Sequence, residues 1–299
     1  MSIFFSQRRR GLCVRYYVFG IRVHKRFESN NGDVGIQAKW MAKFQKNVPQ
    51  NFALPKTANP LVSIIIPAYN QYEFTHACIH SVLKNVKGAS YEVILADDCS
   101  TDETKNVKQR IKNIVHVRNK KNLRFLKNCN NAAKKAKGKY IALLNNDTIV
   151  CQNWLESLVK TLDGNSTIGL VGSECIDIDG KIIKSSGRSG KMLKRVNDKL
   201  ARQHSDCTDG KDVAYVCGAS IMISRKLWRE LDGFDETFAP SYFEDTDLAF
   251  RVREEKGLRV VLQPKSEIIH FENLSITKYL SERCKKNSIV FKKKWASVL

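Results

Sequence analysis

The sequence predicts an α/β fold in which a mostly parallel central sheet is flanked by helices. Three observations carry that prediction. Short, continuously apolar runs alternate along the chain with stretches of helical spacing. The runs lack the in-and-out alternation of a half-solvated sheet, as expected of parallel strands covered on both faces. Three of these runs end abruptly in polar residues, at Tyr69-Asn70, Asp97-Asp98 and Asn145-Asn146-Asp147.

Taken in order, residues 1–59 read as a basic accessory segment and linker. Between Arg8 and Arg26, seven Lys/Arg are interleaved with Tyr16, Tyr17 and Phe19, with no acid. That composition suits a solvated basic strand or hairpin packed on the domain. It also suits a peripheral contact with anionic lipid, which cations and interfacial aromatics favour; nucleic-acid binding is a third reading. Arg8–Arg10 mimic the start of a signal peptide, but Arg22, Lys25 and Arg26 follow and no small-residue cleavage site appears. No secretion signal is expected. Residues 45–60 contain three prolines and little periodicity, as a linker would.

From residue 61 the strand–helix alternation begins. Residues 61–66 (LVSIII) form the first buried strand, and Phe74, Cys78, Val82 and Val86 mark a helix over 74–86. Residues 91–96 are a second strand, after which Thr101 is placed to cap a helix beginning at Asp102. Strand 114–117, a helix over 125–137 closed by Gly138, and strand 140–144 follow. The second half is mixed. It contains helix 153–162, strand 168–171 and a hairpin over 175–183 turning at Asp179-Gly180. A polar, basic stretch over 184–212 reads as a long loop, uncommon unless functional. Strands near 213–217 and 219–223, helices near 225–231 and 245–256, and a buried strand at 258–262 complete the domain. Residues 276–299 read as a basic, partly helical tail.

Composition bounds the partners. The 299 residues carry 51 Lys+Arg against 30 Asp+Glu, a net charge of +21, with 42% apolar and 27% charged residues. Those fractions exclude a wholly disordered, collagenous or coiled-coil chain. Residues 1–59 account for +9 and residues 276–299 for +6, which leaves +6 on residues 60–275. A polyanion partner would therefore meet the termini. An anionic membrane surface is the expected one; with the central domain nearly balanced, nucleic acid is not expected. Nine cysteines, an odd number without any CxxC spacing, suggest neither a zinc ribbon nor a disulfide framework and fit a reducing cytosol. No apolar run reaches the length of a membrane span.

In open α/β sheets ligands bind beyond the carboxyl ends of the strands, so the three polar strand ends sketch one cleft. No GxGxxG follows the first strand and no GxxxxGK[ST] occurs anywhere. Phosphate must then be held some other way, and a divalent cation on carboxylates does that. Glu244-Asp245-Thr246-Asp247 opens a helix, where acids also favour the macrodipole.

Seven strings occur in order: VSIIIPAYN (62–70), ILADDCSTDET (94–104), NLRFLKNCN (122–130), GKYIALLNNDT (138–148), CGASIMISRKLW (217–228), GFDETFAPSYFEDTDLAFR (233–251) and HFENLS (270–275). Over residues 60–275 the chain resembles family 2 glycosyltransferases of the GT-A, nucleotide-diphospho-sugar transferase fold, among them bacterial enzymes of O-antigen, capsule and rhamnan assembly.

The resemblance implies an inverting, metal-dependent transfer from a nucleotide-diphosphate sugar to a glycan or lipid-linked acceptor in bacterial surface polysaccharide assembly. It would act on the inner face of the cytoplasmic membrane. The resemblance puts Pro67, Tyr69, Asn70, Asp97, Asp98, Asn122, Asn146 and Asp147 on the nucleotide-sugar side. Asp98 would hydrogen-bond the base. Asp147 and His270 would hold Mn²⁺ or Mg²⁺. Asp245 would be the general base beside Glu244, and Gly218, Ala219 and Asp247 would line the acceptor and sugar side. The chain departs from the family's pattern in the neutral Asn145 and Asn146, where acids are usual, and in Arg124, where glycine is frequent. A sugar-nucleotide nucleotidyltransferase is the alternative enzyme, but residues 67–75 (PAYNQYEFT) lack the glycines and cations its loop would need. A basic nucleic-acid-binding protein is the alternative outside enzymes.

Overall fold

The computed structural model describes residues 16–18, 21–23, 47–177, 180–182, 193, 196–198, 200, 210–271 and 278–299. Two short strands, β1 (Tyr16–Val18) and β2 (Ile21–Val23), pair antiparallel. They are the described part of the basic N-terminal segment; the other expectations for 1–46 lie outside the described residues. The proline-containing linker lies against the domain. There β3 (Phe52–Ala53) pairs with β6 (Ile111–Lys112), and the Phe52 ring meets His76 and His80 at 5.1 and 5.3 Å.

The remaining strands are β4 (Val62–Ala68), β5 (Tyr91–Asp97), β7 (Val115–Arg118), β8 (Tyr140–Leu144), β9 (Thr148–Val150), β10 (Ile168–Ile176), β11 (Lys211–Asp212), β12 (Ser220–Ser224) and β13 (Arg259–His270). They form one sheet in the order β11-β13-β10-β12-β8-β4-β5-β7, with β9 on β13. The half β8-β4-β5-β7 is parallel throughout. In the other half β12 runs antiparallel to both β8 and β10, while β10 and β13 are parallel.

The helices are α1 (Tyr72–Asn85), α2 (Val107–Arg110), α3 (Arg124–Ala133), α4 (Trp154–Gly164), α5 (Arg225–Glu230), α6 (Glu244–Glu254) and α7 (Lys278–Lys294). Successive strand side chains point to opposite faces, so the sheet buries two cores. Ile65, Ile94, Ile141 and Leu143 pack with Leu126 of α3, Phe250 of α6 and Phe291 of α7. Ile64, Ile66, Val93 and Leu95 pack with Ile79 of α1 and Leu155 of α4. Coverage of both faces is why these strands read as unbroken apolar runs.

The structure corrects several expectations. Asp102, not Thr101, caps the turn that follows β5: its side chain accepts from the Thr104 N–H, and the turn is 3₁₀ over Glu103–Asn106. Helix α3 stops at Ala133, four residues short of the expected end. Gly138 serves instead as a close crossing, because a Cβ there would stand 2.6 Å from the Ser63 backbone N and 2.8 Å from the Tyr140 O. Strand pairing falls at 211–212 rather than 213–217. The expected loop 184–212 includes helical residues at 193, 196–198 and 200, and Leu193, Val196 and Leu200 are buried in the core. The hairpin after β10 is present as the Ile176–Ile182 bridge with Gly180 at φ 76°; Asp179 lies outside the described residues. The basic tail is helical over Lys278–Lys294, as expected in part, and its Phe291 and Trp295 are buried. Among the described residues no helix is long and apolar enough to cross a membrane.

Candidate active site

Strands β4, β5 and β8 are parallel, so their carboxyl ends lie on one side of the sheet. β12 starts on that side, with Ser220 opposite Leu144. β4 runs out into Tyr69, Asn70 and Gln71, and the last two are left-handed, at φ 58° each. Asn tolerates that conformation by bonding locally. Here Asn70 Oδ1 accepts from the N–H groups of Thr101 (2.7 Å) and Asp102 (3.3 Å), while its own N–H donates to Ser100 Oγ (2.8 Å). Asn70 thereby staples the loops after β4 and β5 together. The Tyr69 ring, 48% exposed, stands at the mouth of the cleft.

Asp97 and Asp98 are adjacent in sequence and differ in what they hold. Asp97 is fully buried. Its Oδ2 accepts from His116 Nε2 (3.0 Å) and from Arg118, and its Oδ1 from the Ser100 N–H (2.8 Å). Burial alone would raise this carboxyl, but the hydrogen bonds from His116, Ser100 and Arg118 outweigh it and hold Asp97 well below the usual carboxylate range. Asp97 thus builds the turn beneath the cleft. Asp98 accepts at Oδ1 from Asn119 Nδ2 (2.9 Å) and the Leu123 N–H (2.7 Å), and at Oδ2 from the Arg124 N–H (2.7 Å). These bonds fold the segment before α3 over Asp98. Arg124 adopts φ 68°, so the loop keeps the left-handed geometry glycine takes freely, although a side chain is present. The cleft so formed, about 270 Å³, is lined by Pro67, Tyr69, Asp98, Asn122, Arg124 and Asn146, among others.

After β8 the Asn145 N–H donates to the Ala219 O (2.9 Å), joining the loop to the start of β12. Asn145 Oδ1 is buried with no partner among the described residues. Asn146 Nδ2 donates to Thr75 Oγ1 (3.0 Å). The pairing of β9 with β13 sets His270 opposite Thr148, and His270 Nε2 lies 3.3 Å from Asp147 Oδ1. One carboxylate and one imidazole at that separation can share a cation. Among the described residues no group of three or more His, Cys, Asp and Glu gathers to hold one. Mg²⁺ and its relatives commonly take one or two carboxylates and complete their shell with substrate phosphates and water. A two-residue set, with the unpartnered Asn145 oxygen two residues before Asp147, fits such an ion.

Just before β12 the Gly218 N–H donates to Asp245 Oδ2 (2.9 Å). A Cβ on Gly218 would approach that oxygen to 3.4 Å, so the bare backbone suits the contact. Asp245 Oδ1 accepts from the Thr246 N–H (2.6 Å) and Oγ1 (3.1 Å). Burial pushes the Asp245 carboxyl up against these bonds. Glu244 is pushed up further, by burial and then by the charge of Asp245; its Oε2 is buried with no partner among the described residues. Asp247 lies inside the protein, fully buried, accepting from Arg251 Nε (2.8 Å), Lys294 Nζ (2.8 Å) and Trp295 Nε1 (2.9 Å). Through Gly218, Ala219 and Asn145, the Asp245 carboxylate is thus hydrogen-bonded into the same frame as Asp147 and His270.

Sequence reasoning did not assign Asn119, Thr75 or Phe125 to this site. Asn119 and Asn128 form a buried amide ladder behind Asp98, with Asn119 Nδ2 donating to Asn128 Oδ1 (2.8 Å) and Asn128 Nδ2 to the Ala96 O (2.7 Å). Nothing in their spacing announces it.

A family model described as "Glycosyl transferase family 2" matches residues 63–232. An uncharacterized glycosyltransferase of Rickettsia bellii is 31% identical over 201 residues, covering 66% of this chain and 28% of its own length. The O-antigen biosynthesis protein RfbC of Myxococcus xanthus is 26% identical over 234 residues, 74% of this chain and 18% of its own. The chain spans about a quarter of the length of these two relatives. The mannosyltransferase PcManGT of Pyrobaculum calidifontis, solved with GDP-Man and Mn²⁺, is similar in fold, with a TM-score of 0.55 at 19% identity over 84% of this chain and 68% of that one.

Proposed function

This chain belongs to glycosyl transferase family 2, and we propose that it moves a sugar from a nucleotide-diphosphate sugar to a hydroxyl of a glycan or lipid-linked acceptor, with inversion. The observation that carries this reading is the Asp245 carboxylate. It is fixed by the Gly218 N–H, raised by burial, and hydrogen-bonded into the frame of the Asn145–Asp147 loop. A carboxylate whose pKa is raised by burial is better matched to removing a hydroxyl proton than a free one. In the proposed step the acceptor oxygen bonds to the anomeric carbon, the bond from that carbon to the diphosphate breaks, and the hydroxyl proton passes to Asp245. Tyr69, Asp98, Asn122 and Asn146 would bind the nucleotide, with Pro67 forming part of the wall. Asp97 and Asn70 would hold the two loops that carry those groups. Asp147 and His270 would hold Mn²⁺ or Mg²⁺, which supplies positive charge to the leaving diphosphate when bound.

The test is Asp245→Asn. We expect transfer to fall at least 10²-fold, within the range a lost general base gives, while nucleotide affinity stays within about threefold. Transfer is read as nucleoside diphosphate released from the best-binding member of a UDP-, GDP- and dTDP-sugar panel, with a lipid-linked glycan extract as acceptor. Near wild-type turnover in this variant removes the base from Asp245.

The acceptor class and a peripheral position on an anionic membrane face belong to the same proposal. The outward face of α7 supports them: Lys285, Lys286, Lys292 and Lys293 are exposed around Ile289, which is 69% exposed. The bacterial surface-polysaccharide role is supported by the similarity to the Myxococcus protein.

A further inference from the structure

Helix α7 grips the chain on both sides of Asp245, and all of these residues follow the matched region 63–232. Asn287, 2% exposed, points its amide at the turn that leads into α6. Its Nδ2 donates to the Phe238 O (2.8 Å), the Ser241 O (3.0 Å) and the Tyr242 O (2.9 Å). That turn is strained: Tyr242 and Phe243 are consecutive non-glycine residues at φ 77° and 71°. Strained backbone persists only where its surroundings over-determine it. Glu244 and Asp245 follow directly, and no side chain caps the start of α6.

On the far side of Asp245, Lys294 reaches Asp235 (2.7 Å) and Asp247 (2.8 Å), and Trp295 Nε1 donates to Asp247. Phe291 packs between these anchors, 5.3 Å from the Phe243 ring and 4.9 Å from the Phe250 ring. The Asp245 carboxylate itself is held only by Gly218 and Thr246 among the described residues. Its position therefore depends on where the backbone of this turn delivers it.

We infer that Asn287 is a positioning residue for the reaction: its two amide hydrogens, shared among three carbonyls of the strained turn, fix where Asp245 meets the acceptor hydroxyl. This rests on the reading of Asp245 as the base. It assigns to α7, reached through one buried amide, a part in transfer.

The experiment compares wild type, N287A, N287S, D245N and N287A/D245N in the full chain, using the transfer assay above. Thermal melting and nucleotide binding fix the folded fraction of each. We expect N287A to lower kcat on the order of 10- to 100-fold, as small misplacements of a reacting group do, with donor KM within about threefold. N287S keeps one shorter donor and should fall between N287A and wild type; it also carries the comparison if the alanine variant does not fold. In D245N the Asn287 change should add nothing further, because groups acting as one unit are non-additive. A merely structural Asn287 would lower the melting temperature but leave kcat per folded molecule unchanged, and that result overturns the inference. So does a full additional loss in the double variant. If D245N itself retains turnover, the base reading fails instead, whatever Asn287 does.

Discussion

Asp147 and His270 are 123 residues apart in the chain, and the register of β9 against β13 brings them to 3.3 Å. With two neutral amides where the family usually has acids, this pair would carry the affinity for a divalent ion largely alone. Transfer should therefore stop in EDTA and return with Mn²⁺ or Mg²⁺. His270→Ala should raise the metal concentration needed for half activity at least tenfold, in line with the loss of one of two protein ligands. Full activity in chelator would remove the metal role from both residues. At this scale the motifs single out strand ends that the sheet brings to one side, and they do not say which acid of a pair is bonded inside the protein. Asp97 and Asp98 look equivalent as letters. Only the neighbours across the sheet distinguish them, since His116 and Arg118 of β7 occupy Asp97 while backbone N–H groups occupy Asp98. Asp245 and Asp247 divide in the same way, because two steps along a helix turn a side chain from the Gly218 backbone toward Arg251, Lys294 and Trp295.

At the scale of elements, the parallel half of the sheet was legible because its strands are buried on both faces. That burial writes itself as unbroken Val, Ile and Leu runs. The termini of helices were less legible: α3 ends at Ala133 although Gly138 offers the usual stop signal, because that glycine is needed for the crossing beside Ser63. The packing of α7 was less legible still. Its stripe Asn287, Phe291, Trp295 follows an i, i+4, i+8 spacing in the sequence, but among seven cations over residues 276–299 it reads only as a basic, partly helical tail. Lysines cover the outer face and the stripe enters the core. Phe291→Ala should cost about 3–5 kcal/mol of unfolding free energy, the range for a buried aromatic, measured by urea denaturation. Lys286→Ala, an exposed control on the same helix, should stay within about 0.5 kcal/mol. Equal, small effects would detach α7 from the core.

For the whole molecule, the net charge of +21 is unevenly spread, and four of the C-terminal cations, Lys285, Lys286, Lys292 and Lys293, lie exposed on one face of α7. Each lysine near an anionic bilayer is worth about 1 kcal/mol. Replacing Lys285, Lys286, Lys292 and Lys293 with Gln should therefore lower partition onto phosphatidylglycerol-containing vesicles on the order of a hundredfold or more. Raising salt should release the wild type, as screening requires. Undiminished vesicle binding by the quadruple variant would move the membrane contact elsewhere, to the basic N-terminal segment.

By itself the sequence determined the fold class, the order of the strand-end motifs and the identity of the acids available for chemistry. Those depend on local composition, and burial on two faces or a polar strand end leaves a mark within a few residues. Tertiary structure decided which of those acids are spent inside the protein. It also decided that Gly218 fixes Asp245, and that a helix from the far end of the chain holds the turn beneath it. Those outcomes are set by partners up to 49 residues away, as with Asn287 and Phe238. Hydrogen-bond partners that distant are chosen by packing, which no local pattern records.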